Sequence, residues 1–157
     1  WRPLTVQGIS IGAGICFEST IADIARQYAR HGARCLIYIT NDAWFHRTPA
    51  VRQHFNHARM RAIETGLPVA RAAATGISGF IAPDGRVLDD IPTYTSGVRT
   101  RFIPESRITT PYVMGGWLFG PCSLIIAVIL ALLGLRGCMF RRRHNAEEFM
   151  ATGSGIS

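Results

Sequence analysis

Hydrophobic positions recur along this chain with two different periods. Val6 to Phe17 (VQGISIGAGICF) alternates apolar residues with Gly and Ser, which predicts a strand that runs into a tight, glycine-rich turn. From Ile21 the spacing lengthens, and Ile21, Ile24, Ala25 and Tyr28 fall at i, i+3, i+4 and i+7. That is the stripe of an amphipathic helix, with Ser19 and Thr20 placed as N-cap residues and Gly32 as its close. Cys35 to Ile39 (CLIYI) is a short, continuous apolar run of the kind a buried strand needs, and it ends in the polar loop Thr40-Asn41-Asp42. A second helix is predicted after Pro49, with Val51, Phe55, Ala58, Ala62 and Ile63 on one stripe and Gly66-Leu67-Pro68 as its stop. Val69 to Ala73 opens the next strand, and Phe80-Ile81-Ala82 and Arg86-Val87-Leu88 flank Pro83-Asp84-Gly85 as a hairpin. Gly97 to Ile103 is a last predicted strand. The order β-α-β-α-β-β-β predicts an α/β layered domain with a mixed sheet, and no internal repeat is visible.

The periodic pattern stops after Arg107. The next 28 residues carry no charged side chain, and Ser123 to Leu135 reads SLIIAVILALLGL. The roughly 20 residues that cross a bilayer at about 1.5 Å per residue fit within 112–135, with Gly115, Gly116, Gly120 and Pro121 in the first half and Trp117 and Phe119 towards one interface. Arg136, Arg141, Arg142 and Arg143 follow at once, so the positive-inside rule predicts a cytoplasmic C-terminus and an outside location for everything before Thr110. The expected organisation is an α/β domain over 1–107, a linker over 108–111, one transmembrane helix over 112–135, and a basic tail over 136–157 whose end is small and polar. The opening WRPLTVQGISIG has neither a basic n-region nor an apolar h-region, so a preceding segment is expected to carry the domain across.

Composition narrows the function classes. The 157 residues allow one modest core, and the formal charge of +7 sets 17 basic residues, every one of them Arg, against 10 acidic ones. Chemistry that needs a lysine cannot be completed by these residues. The arginines are not clustered or interleaved with aromatics, and the predicted outside location also argues against nucleic acid as a partner. Arg26, Arg30, Arg34, Arg52, Arg59 and Arg61 form either a solvated face or a surface for anionic headgroups.

Residues with chemical potential gather behind the first two predicted strands, where α/β sheets generally build their sites. Cys16 follows a strand and precedes a helix start, where free backbone N–H groups favour a thiolate. The competing reading is a buried structural cysteine. Asn41-Asp42-Ala43-Trp44-Phe45 suits a turn, yet two large aromatics directly after it favour a pocket lining or an apolar ligand path. His54 and His57, three apart on the second helix, come without a CxxC or HExxH pattern, so no metal is expected. Glu64 is expected to pair with Arg59, Arg61 or Arg71, with a role as general base the alternative. A Cys16–Cys35 disulfide would block the nucleophile and is not expected.

GICFE at Gly14–Glu18, TNDAWF at Thr40–Phe45, QHFNHARMRAIETGLPVARAAATGIS at Gln53–Ser78 and PDGRV at Pro83–Val87 resemble, in order, the nitrilase-like domain of the bacterial apolipoprotein N-acyltransferase family of carbon-nitrogen hydrolases. The resemblance implies part of an α-β-β-α sandwich on the periplasmic side of the bacterial inner membrane, followed by one C-terminal membrane helix. It implies a Glu-Lys-Cys triad without a cofactor, taking an acyl chain from a phospholipid and passing it to the amine of a diacylated lipoprotein. By motif position Cys16 is the nucleophile and Glu18 a supporting carboxylate, while Phe17, Asn41, Asp42, Trp44 and Phe45 border the substrate. The base Glu and the Lys of that family precede the cysteine. No acidic residue precedes Cys16 here and there is no lysine, so these 157 residues are expected to be an inactive C-terminal part. Phe17 stands where the family usually has Tyr, and His46 where it usually has Gly, which predicts a stiffer or differently shaped loop. The remaining readings are a membrane-anchored amidase with the same thiol chemistry, and a basic membrane-anchored module without catalysis.

Overall fold

The structure, a computed structural model, describes residues 1–103 and 105–134. Six strands form one sheet in the order β1 (Leu4–Val6), β2 (Ile9–Ile15), β3 (Cys35–Thr40), β4 (Val69–Ala73), β5 (Ser78–Ile81) and β6 (Val87–Ile91). β2, β3 and β4 run parallel, with Ile15 beside Ile39 and Ile39 beside Ala72. The outer pairs β1–β2, β4–β5 and β5–β6 are antiparallel, which makes the sheet mixed, as expected.

Helices α1 (Ala22–Arg30) and α2 (Ala50–Thr65) are the two parallel crossovers. Strand order advances in one direction and such crossovers are right-handed, so both helices cover the same face. Their buried residues Ile24, Ala25, Tyr28, Val51, Phe55, Ala58 and Ala62 close on Leu36, Tyr38, Val69 and Ile81 of the sheet. Close packing leaves no room on β2: a Cβ on Gly12 would lie 2.7 Å from both Leu36 and Tyr28 side-chain atoms. The opposite face, with Ile11, Ala13 and Ile15 on β2 and Ile37 and Ile39 on β3, carries no helix among the described residues. Ile15 is 70% and Ile39 61% exposed. One sheet with helices on one side is half of the expected sandwich.

Four local expectations are corrected. The long first strand is two, because Gln7 (φ 50°) and Gly8 (φ 81°) turn the chain between β1 and β2, the double positive φ of a tight hairpin. Ser19 and Thr20 do not cap α1. They sit in a 3-10 turn, Cys16–Thr20, and their hydroxyls donate back to the carbonyls of Cys16 and Phe17. Ile63 is 48% exposed, one position off the stripe of Val51, Phe55, Ala58 and Ala62. The run 97–103 forms no strand: Val98 and Phe102 are 85% and 88% exposed, since alternation reports two faces but supplies no pairing edge.

By its internal contacts the chain divides into Trp1–Gly116 and Trp117–Ser157. The first unit ends with the short helix α3 (Pro111–Gly115), whose Thr110 side chain accepts from the Val113 N–H at 3.2 Å and whose Val113 is buried. Residues 116–118 form a 3-10 turn and 119–134 are helical, with exposed apolar side chains such as Leu124, Ile125 and Leu132. The single expected span over 112–135 is thus divided, and among the described residues no helix is long and apolar enough to cross a membrane. Leu135 and the basic tail lie outside the described residues.

Candidate active site

β2 ends at Ile15, and the chain reverses at Cys16, whose φ of 51° lies in the left-handed region that non-glycine residues seldom occupy. Such a residue persists only where its surroundings over-determine it, at a cost on the order of 1–3 kcal/mol. Three side chains of the turn do so here. Glu18 Oε2 accepts the Ile15 N–H at 2.7 Å, Ser19 Oγ donates to the Cys16 carbonyl at 3.0 Å, and Thr20 Oγ1 donates to the Phe17 carbonyl at 2.7 Å. The elbow leaves the Cys16 residue partly exposed at the strand end. Glu18 therefore holds the backbone on the strand side of the thiol.

Behind the elbow lies a polar network removed from water. Thr40 Oγ1 donates to Asp42 Oδ1 at 3.0 Å, His54 Nδ1 meets the same oxygen at 2.8 Å, and Arg71 Nη2 donates to Asp42 Oδ2 at 2.6 Å. The other ring nitrogen, His54 Nε2, lies 3.1 Å from Ser19 Oγ and 3.2 Å from the Cys16 carbonyl oxygen. Arg71 is held further by the carbonyls of Ile77 and His54. Burial alone would raise the Asp42 carboxyl, but the His54 hydrogen bond, the Arg71 charge and Thr40 outweigh it and hold the carboxyl below its ordinary value. Burial lowers the Arg71 guanidinium, with Asp42 opposing. The site admits no side chain at residue 76, where a Cβ would stand 2.0 Å from Asp42 Oδ2.

Ser19, His54 and Asp42 reproduce the hydrogen-bond order of a serine hydrolase triad. Ser19 and Asp42 are fully buried, however, so Ser19 Oγ cannot meet a substrate, and the chain of bonds ends on the backbone of Cys16. Asp42, expected at a pocket wall, is turned into the core because Arg71 and His54 take its oxygens. His54 lies on the stripe shared by Val51, Phe55 and Ala58, and a histidine on a buried stripe needs hydrogen-bond partners; that signal was readable in the spacing.

The exposed side of the elbow is apolar. Ile15, Phe17, Ile39 and Trp44 are 70%, 68%, 61% and 82% exposed, Trp44 projecting from the turn Ala43–Phe45 that follows β3. Phe45 stacks edge-to-face on His54, with ring centroids 5.5 Å apart. Asn41 Oδ1 closes the turn by accepting the Ala43 N–H at 3.1 Å. A groove of about 720 Å³ on the far side of this turn is bordered by Arg47, Arg52, Asp90 and Tyr94, with the Arg47 guanidinium 4.3 Å over the Tyr94 ring; Cys16 is not part of it.

The other singled-out residues separate from the elbow. Cys16 and Cys35 are both free, and Cys35 pairs in register with Ile11, at the opposite end of the strands from Ile15. Burial pushes the Cys35 thiol up. His57 is exposed and His54 buried, so the two do not face one ligand. Of its three possible partners Glu64 takes Arg61, whose Nη2 donates to it at 2.9 Å while Nη1 donates to the Thr20 carbonyl at 3.0 Å. Burial raises the Glu64 carboxyl, and Arg61 opposes the shift.

The model of the carbon-nitrogen hydrolase family matches residues 1–111. The chain is 32% identical over 142 residues to the apolipoprotein N-acyltransferase of Pasteurella multocida (strain Pm70), covering 90% of this chain and 26% of that protein. It is 35% identical over 136 residues to the apolipoprotein N-acyltransferase of Thermotoga maritima, covering 86% of this chain and 26% of that protein. The chain thus spans about a quarter of the length of these curated relatives. Among solved structures, the carbon-nitrogen hydrolase of Helicobacter pylori G27 superimposes with a TM-score of 0.51 at 19% identity, over 57% of this chain and 39% of that one, a likeness of fold alone.

Proposed function

Since the chain belongs to the carbon-nitrogen hydrolase family, we propose that Cys16 is the nucleophile of a lipoprotein N-acyltransferase that takes its acyl chain from a membrane phospholipid. The observation that carries this reading is the partly exposed cysteine on a positive-φ elbow, bordered by exposed Ile15, Phe17, Ile39 and Trp44. A small polar amide would gain little from such a rim, whereas a fatty acyl chain gains about 0.8 kcal/mol for each CH₂ it buries. The names of the relatives support the same chemistry.

In the proposed reaction the Cys16 thiolate attacks the ester carbonyl of the donor. The C–S bond forms, the C–O bond breaks, and the lysophospholipid leaves with a proton. The α-amine of the diacylglyceryl-cysteine then attacks the thioester, the C–N bond forms as the C–S bond breaks, and the proton lost by the amine restores the thiol. Glu18 supports the first step by keeping the Ile15 N–H, and with it the elbow, in place. A base carboxylate and a lysine complete the triad that the resemblance implies, and these 157 residues hold no lysine. No cofactor is needed. The uncovered apolar face of the sheet is where the second sheet of an α-β-β-α sandwich would pack. The apolar stretch through 119–134 and the arginines after it suit an anchor in the inner membrane, the catalytic part outside and the C-terminus in the cytoplasm.

Mass spectrometry of the intact protein incubated with phospholipid tests this reading. The expected result is a hydroxylamine-labile gain of one fatty acyl group localised to Cys16 and absent from Cys16→Ala. A preparation that contains the base carboxylate and the lysine and shows no adduct, yet releases ammonia from small amides, would replace this reading by an amidase.

A further inference from the structure

Ser19, Asp42 and His54 have no part in the acyl transfer proposed above, yet they occupy the space directly behind the nucleophile. We propose that His54 is a positioning residue for Cys16, clamping its carbonyl oxygen together with Ser19 and thereby fixing the direction of the thiol. The inference rests on the reading of Cys16 as the nucleophile.

Three observations carry it. Cys16 has a strained backbone, and its carbonyl oxygen is approached from inside by two groups, Ser19 Oγ at 3.0 Å and His54 Nε2 at 3.2 Å. The partners on the other side of the ring order its protons. An ionised Asp42 only accepts, so Nδ1 at 2.8 Å carries a proton. The Cys16 carbonyl also only accepts, so the clamp is made by the doubly protonated ring, whose Nε2–H is shared between that carbonyl and Ser19 Oγ while the Asp42 carboxylate balances its charge. Finally, the ring cannot swing away. Arg71 and Thr40 hold Asp42, whose carboxylate fills the space that the missing side chain of Gly76 leaves, and Phe45 covers the ring edge-on.

A merely stabilising network is a different claim, because burying this many polar groups adds little stability over well-packed apolar side chains. A clamp on Cys16 instead predicts that the reactivity of the thiol changes even where the fold does not. The side-chain amide of Asn overlays the Nδ1 position of His and keeps the bond to Asp42, but it does not reach Cys16. Gln places its amide near Nε2 and keeps the contact with Ser19 and Cys16.

The test measures, in the intact protein, the rate of Cys16 alkylation by iodoacetamide, the kcat and KM of acyl transfer, and Tm. His54→Asn is expected to slow alkylation and lower kcat about tenfold with KM unchanged, the loss of roughly one good hydrogen bond, while His54→Gln stays within about threefold of the parent. Ser19→Ala, the smallest change, decides the matter should His54→Asn fail to fold; a severalfold loss of alkylation rate at nearly unchanged Tm is expected. Variants that alkylate and turn over at the parent rate, with only Tm lowered, would overturn the proposal. Cys16→Ala with full acyl transfer would instead remove the nucleophile reading, an outcome separable from the His54 results.

Discussion

At the scale of single residues, backbone conformation and buried charge decide most. Among the described residues four non-glycine residues have positive φ, and two of them, Cys16 and His46, lie at the candidate site and just after its Trp44–Phe45 rim. His46 is the more strained, with φ 47° and ψ −141°, close to a region that only glycine occupies freely. The family's usual glycine at that position has a physical reason here. His46→Gly is expected to stabilise the fold by about 1 kcal/mol in urea titration, the relief of strain exceeding the added freedom of the unfolded chain. Asp42 is the opposite case, a residue whose loss leaves Arg71 buried without its counter-charge. Asp42→Asn is expected to cost about 3 kcal/mol at neutral pH. The sign of the pH dependence follows from the lowered carboxyl: its contribution is complete above the ordinary carboxylate range and is withdrawn as pH falls below about 4, through the lowered value. The urea midpoint of the parent should therefore fall more steeply below that pH than that of Asp42→Asn.

At the scale of elements, α2 does the most to build the site. Its buried face mixes Val51, Phe55, Ala58 and Ala62 with His54, Arg61 and Thr65, so apolar periodicity alone understates its burial. Each of these polar side chains is bonded: His54 to Asp42, Arg61 to Glu64 and the Thr20 carbonyl, Thr65 Oγ1 to the Arg61 carbonyl at 2.6 Å. Two contacts tie the helix to the nucleophile turn, His54 Nε2 to the Cys16 carbonyl at its start and Arg61 Nη1 to the Thr20 carbonyl at its end. The turn between β4 and β5 closes the network from the other side at Gly76. Gly76→Ala is expected to displace the Asp42 carboxylate, lower Tm, and slow Cys16 alkylation in parallel with His54→Asn, since both act on the same hydrogen bonds.

At the scale of the whole molecule, the described residues lay helices on one face of the sheet and none on the other, and the chain changes character after residue 116. An apolar face left open in this way marks a surface that packs against something, and the proposed sandwich supplies it with a second sheet. The apolar stretch after 117 makes its own prediction. Residues 117–157 fused behind a soluble reporter should sediment with membranes and resist alkaline carbonate, and a protease added from outside should leave the arginine-rich end intact. Release of the fusion by carbonate would remove the anchor from the proposed function.

Local spacing alone determined much of this protein. β3, α1, α2, β4 and the β5–β6 hairpin were legible because side-chain period and turn residues act over a few positions, and Cys16 stood out because a strand end and a helix start bracket it. The β1–β2 hairpin was not legible, as Gln7 is no turn residue by type and takes positive φ only beside Gly8. The network behind Cys16 belongs to the tertiary structure. Ser19, Asp42, His54 and Arg71 lie 35, 12 and 29 positions apart along their bonds, and each has an ordinary local reading as a cap, a turn residue, a helix residue or an ion-pair partner. Only the crossovers, which lay α2 on the sheet beside the Cys16–Thr20 turn and β4, bring the four together. A hydrogen-bond partner is chosen by distance in space, and the period of a segment carries no record of it.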